Sequence, residues 1–217
     1  MNHYRAVAPD GLTRRAGYLI QMHGLRLQPP VEVEEWRGRW RELGIAEAAI
    51  DRAAVFGRRW GGLALPPAPM YDGGPRFFCP DTPEGSMAEG WTFEAGPQRS
   101  AVPFSFMIGA EGEFGIQMDR FVPLHRSVEG WVESVALARH AAMWAKQITK
   151  LTGDEVDGLV LDGFEPVPEV AGMADMWWRG TDSLVAIYRG EAKCLNAPRA
   201  RAALIYSGLD DWGLNGG

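Results

Sequence analysis

The sequence predicts an α+β fold, and three patterns along the chain indicate it. Apolar residues recur at three- and four-residue steps over residues 31–59, which favours amphipathic helices. Two apolar runs, 102–108 and 113–118, flank the glycine-containing turn 109–112, as is typical of a β-hairpin. A second helical pattern begins at Val128. A chain of 217 residues with these patterns is expected to form one extended domain, or a domain with a subdomain.

The first sixty residues are predicted to contain one strand and two helices. Residues 17–22 are a short apolar segment and are interpreted as a strand, which Pro29 and Pro30 follow. The first helix begins near Val31 and ends at Gly44. The second is predicted from about residue 46 to 59, and Gly61 ends it. The apolar face of the first helix consists of Val33, Trp36, Trp40 and Leu43.

The middle of the chain is predicted to be loops and short strands, then the hairpin, then a long helix. Residues 72–101 are rich in Gly and Pro, so short strands joined by long loops are expected there. Ser127 is a suitable N-cap, and the helix is predicted from Val128 to about Lys150. Gly153 is expected to end it.

The remainder of the chain reads as a series of short strands. The apolar pieces are 159–161, 176–178, 184–188 and 203–206. The Gly/Asp-rich stretch 152–158 is the best candidate boundary. The sequence therefore predicts a domain over residues 1–150 and a β-rich extension over 151–217 that packs on it.

Charge and cysteine usage limit the class of protein. The net charge is −6, and residues 61–217 carry 21 acidic against 12 basic side chains. This acidity argues against nucleic-acid binding and would suit a basic partner. Cys79 and Cys194 match neither a metal spacing nor a disulfide framework. No signal peptide or membrane-spanning run is evident, so a cytoplasmic protein is expected.

No catalytic, metal-binding or cofactor motif is recognised. None of the four histidines lies four residues from another, and no zinc spacing, nucleophile elbow or phosphate-binding loop occurs. The sequence predicts no catalytic residue, no metal and no cofactor. One alternative stays open, because carboxylates such as Glu111, Glu113, Asp119 and Glu129 could converge in space, with His125 beside them, to form an enzyme site of unfamiliar type.

Two regions are predicted to bind a partner. The first follows the second helix, where glycines and aromatic residues allow close backbone approach and supply anchors. The second combines tryptophans with acids near the C-terminus. Adjacent Trp177 and Trp178 in a strand point to opposite faces, so one is expected in the core and the other partly exposed. The alternative is that these aromatics are structural. The predicted partner-binding residues are Trp60, Tyr71, Asp72, Trp91, Trp177, Trp178, Asp210, Asp211 and Trp212.

The order of these features resembles the SUKH superfamily of bacterial immunity proteins. A Trp-bearing helix precedes a helix that ends in Trp60-Gly61-Gly62-Leu63, and the hairpin precedes a helix entered through Ser127-Val128-Glu129-Gly130-Trp131. The resemblance covers roughly residues 31–148. It implies a curved antiparallel sheet flanked by helices. It also implies a non-catalytic protein that binds and neutralises a cognate toxin domain. An enzyme of unrecognised type, or a scaffold of a bacterial assembly, is the alternative.

Overall fold

The computed structural model describes residues 4–27 and 32–216, which contain six α-helices and thirteen strands. The helices are α1 Arg14–His23, α2 Val33–Glu42, α3 Glu47–Trp60, α4 Val128–Trp144, α5 Gly190–Cys194 and α6 Asp211–Asn215. The strands are β1 Tyr4–Arg5, β2 Leu25–Arg26, β3 Leu63–Ala64, β4 Glu84–Ser86, β5 Gly90–Gly96, β6 Ser105–Ile108, β7 Phe114–Gln117, β8 Phe121–His125, β9 Gln147–Thr152, β10 Glu165–Pro166, β11 Met176–Arg179, β12 Ser183–Tyr188 and β13 Ala202–Ser207. The α+β prediction is confirmed.

The strands of the described residues form three antiparallel sheets. A small sheet has the order β1-β2-β3. The first large sheet has the order β4-β5-β6-β7-β8, and its β6–β7 pair is the predicted hairpin. The second large sheet has the order β10-β11-β12-β13-β9. His125, at the end of β8, forms a single antiparallel bridge with Gly172, in the segment that leads into β11 of the second large sheet.

Two helices of the N-terminal half match their predictions, and one segment does not. Helices α2 and α3 form, whereas residues 17–22, predicted as a strand, lie in α1. The helix begins because the Thr13 hydroxyl accepts a hydrogen bond from the Ala16 amide. Ala16, Leu19 and Ile20 are buried at helical spacing. The strand prediction for residues 17–22 is wrong because a window of six residues is too short to show the helical period. Pro29, Pro30 and Val31 lie outside the described residues.

Helix α4 is the central element, and it is shorter than predicted. It ends at Trp144, where Ala145 turns to an extended conformation, and residues predicted as its last turns form β9. Ile148, which lies within the helix predicted from Val128 to about Lys150, pairs instead with Tyr206 of β13. Pairing with β13 satisfies the backbone hydrogen-bonding groups of residues 147–152 as a helix would. Local helix propensity does not report such a long-range pairing. Residues 147–152 therefore belong to the second large sheet.

One core joins the two predicted regions. Trp131 of α4 contacts Phe114 of the first large sheet, with ring centroids 4.8 Å apart. About one turn further along the helix, Trp177 of β11 donates a hydrogen bond from Nε1 to the Ser134 hydroxyl at 2.9 Å. A smaller apolar cluster lies on the far face of the second large sheet, covered by residues 156–164. Residues 159–161, predicted as a strand, are part of that covering loop.

Candidate functional site

A groove of about 790 Å³ lies between α1, α4 and α6. Its exposed large side chains are Tyr18, Met143, Trp144 and Trp212, with exposed fractions of 56, 59, 49 and 48%. A cavity of this size is comparable to small-molecule or side-chain binding pockets. Large apolar side chains grouped around a concavity, and left in contact with water, are typical of interaction sites.

The groove exists because α4 extends beyond the elements that cover it. Residues 130–138 of α4 are buried, whereas Ala142, Met143 and Trp144 in its last turn are exposed. Helix α6 then approaches the end of α4 through Gly213, where an added Cβ would lie 3.2 Å from the Cβ of Trp144. Only a small residue allows this approach, which places Trp212 beside the groove.

His140 forms part of the groove between the two tryptophans. Its ring centroid lies 6.3 Å from that of Trp144 and 6.1 Å from that of Trp212. Nε2 of His140 lies 2.8 Å from the Trp212 carbonyl oxygen, which can only accept, so this nitrogen carries the proton. Burial lowers the pKa of His140. A neutral imidazole therefore links α4 to the backbone of Trp212.

A buried ionic network connects the elements that form the groove. The Arg15 guanidinium lies 3.6 Å from Glu133 and 3.2 Å from Glu169, and it donates to the Asn215 carbonyl at 3.1 Å. Glu133 also accepts hydrogen bonds from the amide and the hydroxyl of Thr13, each at 2.7 Å. Burial raises the pKa of Glu133. These contacts attach α1 and the C-terminal segment to α4, so three walls of the groove are held together.

The groove is locally basic within an acidic chain. Arg14 and Arg139 line it, are exposed, and form no ion pair with another described residue. Asp10 is the acidic residue among the described lining positions. The groove therefore offers two guanidinium groups to a ligand.

Three of the predicted partner-binding residues lie in the core, which corrects their assignment. Trp60 packs against Phe78, and Trp177 stacks on Tyr206 with centroids 5.8 Å apart. Tyr71 is buried as well. Each fills space between two secondary-structure elements, and none is available to a partner in this conformation. The expectation that one of Trp177 and Trp178 is core and the other partly exposed matches the structure.

Tyr71 forms a buried junction with Asp175. The Tyr71 hydroxyl donates to the Asp175 carboxylate at 2.7 Å, and the amides of Arg189 and Gly190 donate to the same carboxylate at 2.9 and 3.1 Å. Burial raises the pKa of Asp175 to about 6 and that of Tyr71 well above its usual value. The loop predicted to bind a partner is thereby fixed to the second large sheet, with Tyr71 and Asp72 at positive φ.

The other predicted residues are partly or fully exposed, but the structure does not collect them in one site. Asp72 accepts a hydrogen bond from Ser100, and Trp91 is half-buried, with its carbonyl bound by Arg52. Trp178 packs against the smaller apolar cluster. Asp211 is exposed in the first turn of α6, and the Asp210 side chain caps that helix by accepting from the Gly213 amide at 2.8 Å.

Among the predicted residues, Trp212 lines the groove. The prediction missed Tyr18, Arg139, His140, Met143 and Trp144. A signal was available, because Met143 and Trp144 are large apolar residues that lie off the helix face of Val128, Trp131, Val135 and Ala138.

The carboxylates considered for an enzyme site are engaged locally or exposed. Glu129 pairs with Arg59 at 2.8 Å, and Glu113 accepts the Glu111 amide at 3.0 Å within the hairpin turn. Asp119 is exposed, and His125 is fully buried with Nδ1 bonded to the Val170 carbonyl. Within residues 4–27 and 32–216, no group of three or more His, Cys, Asp and Glu side chains is arranged to hold a metal ion.

Of the helices in the described ranges, none combines the length and the apolar character needed to cross a bilayer. A comparison of the chain with protein-family models, with curated proteins and with solved structures gave no match. The resemblance to SUKH proteins therefore stays a prediction.

Proposed function

We propose that this chain is a binding protein that holds a segment of another protein in the groove, and that it serves as an immunity protein for a cognate toxin domain. The observation that carries the binding proposal is the pair of half-exposed side chains, Trp144 and Trp212, on either side of His140. Tryptophan is enriched among the residues that dominate binding energy, because it presents a wide and rigid apolar surface. The immunity role rests on the SUKH resemblance alone.

The groove is organised before a partner arrives. The His140–Trp212 contact, the Asp210 cap on α6 and the Arg15–Asn215 bond restrain the segment that carries Trp212. Side chains that are already held in place lose little conformational entropy on binding. The restrained position of Trp212 supports a role in recognition, and it argues against a role as a flexible segment that only covers the core.

The charge of the groove favours one kind of segment. Arg14 and Arg139 have no acidic partner among the described residues, and complementary charge improves both encounter and specificity. The segment is therefore expected to carry a large apolar side chain next to a carboxylate. The basic partner predicted from the net charge refers to the partner as a whole, and it stays a prediction.

Selection of peptides tests the binding proposal. A library of random displayed peptides is selected on the intact protein, and the enriched peptides are synthesised and titrated. We expect sequences with an aromatic or aliphatic residue beside Asp or Glu. Trp144→Ala and Trp212→Ala are expected to weaken binding roughly tenfold or more, which corresponds to at least about 1.4 kcal/mol. Leu43→Ala is the matched control, because Leu43 is an exposed apolar residue on another surface. Enriched peptides that bind all three variants equally would contradict the proposal.

Co-expression tests the immunity role separately. Any toxic domain that is found encoded beside this chain is expressed with the wild-type protein, with Trp212→Ala or with Leu43→Ala. Growth is expected with the wild type and Leu43→Ala, and growth arrest with Trp212→Ala. Arrest with every version, while selected peptides still bind the groove, would remove the immunity role and retain the binding site.

A further inference from the structure

Strand β9 is an uncovered edge of the second large sheet. It pairs with β13 on one side, and no described strand pairs with its other side. The remaining edges of the two large sheets are short or protected. Strand β4 has three residues, and β10 has two, of which one is Pro166. Strand β8 is covered by residues 171–174, whose backbone bonds to that of residues 123–126. The six-residue β9 is therefore the longest free edge in the described sheets.

The register shows which backbone groups of β9 are free. Thr152 lies opposite Ala202, and the Gly153 amide donates to the Arg201 carbonyl at 3.0 Å. Because the pattern alternates along an antiparallel strand, residues 147, 149 and 151 direct their peptide groups toward β13. Ile148 and Lys150 direct theirs outward, and no other described residue bonds to them. The Thr152 amide is capped by the Glu155 carboxylate at 3.1 Å.

We propose that the free edge of β9 pairs in antiparallel fashion with β9 of a second copy of this chain, which makes a two-fold dimer. Ile148 of each copy would then exchange hydrogen bonds with Lys150 of the other, centred on Thr149. The second large sheets of the two copies, with five strands each, would become one continuous sheet of ten strands. A two-fold axis places the same surface on both sides, as closed dimers require.

Charge selects this register among its neighbours. The neighbouring registers that keep the outward groups paired are shifted by two residues. They place Lys150 opposite Lys150 or opposite Lys146 of the second copy, and like charges directly opposite are unfavourable. In the proposed register Lys150 lies opposite Ile148, an exposed side chain that its aliphatic stem can cover.

The two ends of the strand are also complementary. Lys146 precedes β9, and Asp154 follows it; Asp154 pairs with Arg201 of its own chain at 3.2 Å, but its side chain is 99% exposed and can still meet a second cation. Antiparallel pairing brings Lys146 of one copy opposite Thr152 of the other, next to Asp154. A second copy therefore meets the basic end of the edge with its acidic end. Because the strand is short, the dimer is expected to dissociate in the range of about 10 to 100 micromolar.

Sedimentation equilibrium of the full chain, from about 1 to about 300 micromolar, measures this association. We expect reversible dimer formation in the wild type. Ile148→Pro removes one outward N–H and leaves the bonds to β13 intact, so dimerisation is expected to weaken at least tenfold while the near-UV spectrum is kept. Leu43→Ala is the matched control and should dimerise as the wild type does, because Leu43 is an exposed apolar residue at the end of α2 and not on the β9 edge.

Charge exchange keeps the test valid if Ile148→Pro fails to fold. Lys146→Glu and Asp154→Lys are each expected to weaken the dimer, and the double variant is expected to restore it. A wild type that stays monomeric over the whole concentration range overturns the proposal. So does a dimer that persists unchanged in Ile148→Pro, or in both single charge variants. Neither result bears on the groove, so this inference and the proposed function fail independently.

Discussion

The buried junction around Asp175 and the open groove around His140 use similar residues for different ends. Each places a titratable side chain between aromatic rings: Asp175 bonds to Tyr71 and lies near Tyr188, whereas His140 lies between Trp144 and Trp212. The junction is sealed by a loop and a sheet, and burial shifts its pKa strongly. The groove is covered on one side only, because α4 extends beyond its neighbours. Cover by other elements, and not residue type, decides whether an aromatic cluster is core or binding surface.

The largest expected effect separates a core tryptophan from a groove tryptophan. Trp177→Ala removes a ring stacked on Tyr206 and the hydrogen bond to Ser134, so it should lower the free energy of unfolding by ~3–5 kcal/mol. Trp212→Ala, the matched control, should lower it by less than ~1 kcal/mol. Urea denaturation followed by far-UV circular dichroism measures both. Equal losses would mean that the distinction between the two regions is false.

The second expected effect is on the pH dependence of the free energy of unfolding, to which two buried groups contribute with opposite signs. Burial lowers the pKa of His125 to about 4, so stability from its neutral form is present above pH ~6.5 and is lost as the pH falls toward 4. Burial raises the pKa of Asp175 to about 6, so stability from its protonated form is present below pH ~4 and is lost as the pH rises through 6. Each change amounts to about 3 kcal/mol, and the two oppose each other between pH 4 and 6.

Removing either group should reveal the other. Relative to the wild type, Asp175→Asn should lose about 3 kcal/mol more on acidification from pH 6 to 4, and His125→Gln should lose about that much less. The measurement is the difference in unfolding free energy between each variant and the wild type at several pH values, which removes the contribution of all other groups. Parallel profiles for Asp175→Asn and the wild type would show that Asp175 does not titrate in this window.

A smaller loss is expected when only the hydroxyl at the junction is removed. Tyr71→Phe leaves the ring in place but deletes a hydrogen bond to a buried carboxylate, which should cost ~1–3 kcal/mol. The matched control is Tyr18→Phe in the exposed groove, which should change the stability by less than ~0.5 kcal/mol. Thermal unfolding at neutral pH compares the two, and a Tyr71→Phe protein as stable as its control would argue against the Tyr71–Asp175 bond.

Local patterns in the sequence predicted most elements, and long-range ones were missed. Helices α2 and α3, the β6–β7 hairpin and the Ser127 cap follow from spacing within a short window, so they were predicted. The end of α4 was not, because Ile148 leaves the helix to pair with Tyr206, which lies 58 positions later. Of the described residues that line the groove, the sequence predicted one, Trp212. The groove depends on contacts of Arg15 with Glu133 and Asn215, at separations that no periodicity reports.

Trp144→Ala is expected to have a small effect on stability, and it is the most informative variant for the groove. Half of this side chain is exposed, so its removal should lower the free energy of unfolding by less than ~1 kcal/mol. The indole nevertheless borders His140, and truncation should raise the solvent access of that ring and move its lowered pKa back toward the ordinary value. Titration of the His140 ring protons by NMR, in the wild type and in Trp144→Ala, measures the change, and Leu43→Ala serves as the control. An unchanged titration would show that Trp144 does not shield His140. The comparison with Asp175 would then lose its second member, because the groove would no longer be a partly sealed version of the same arrangement.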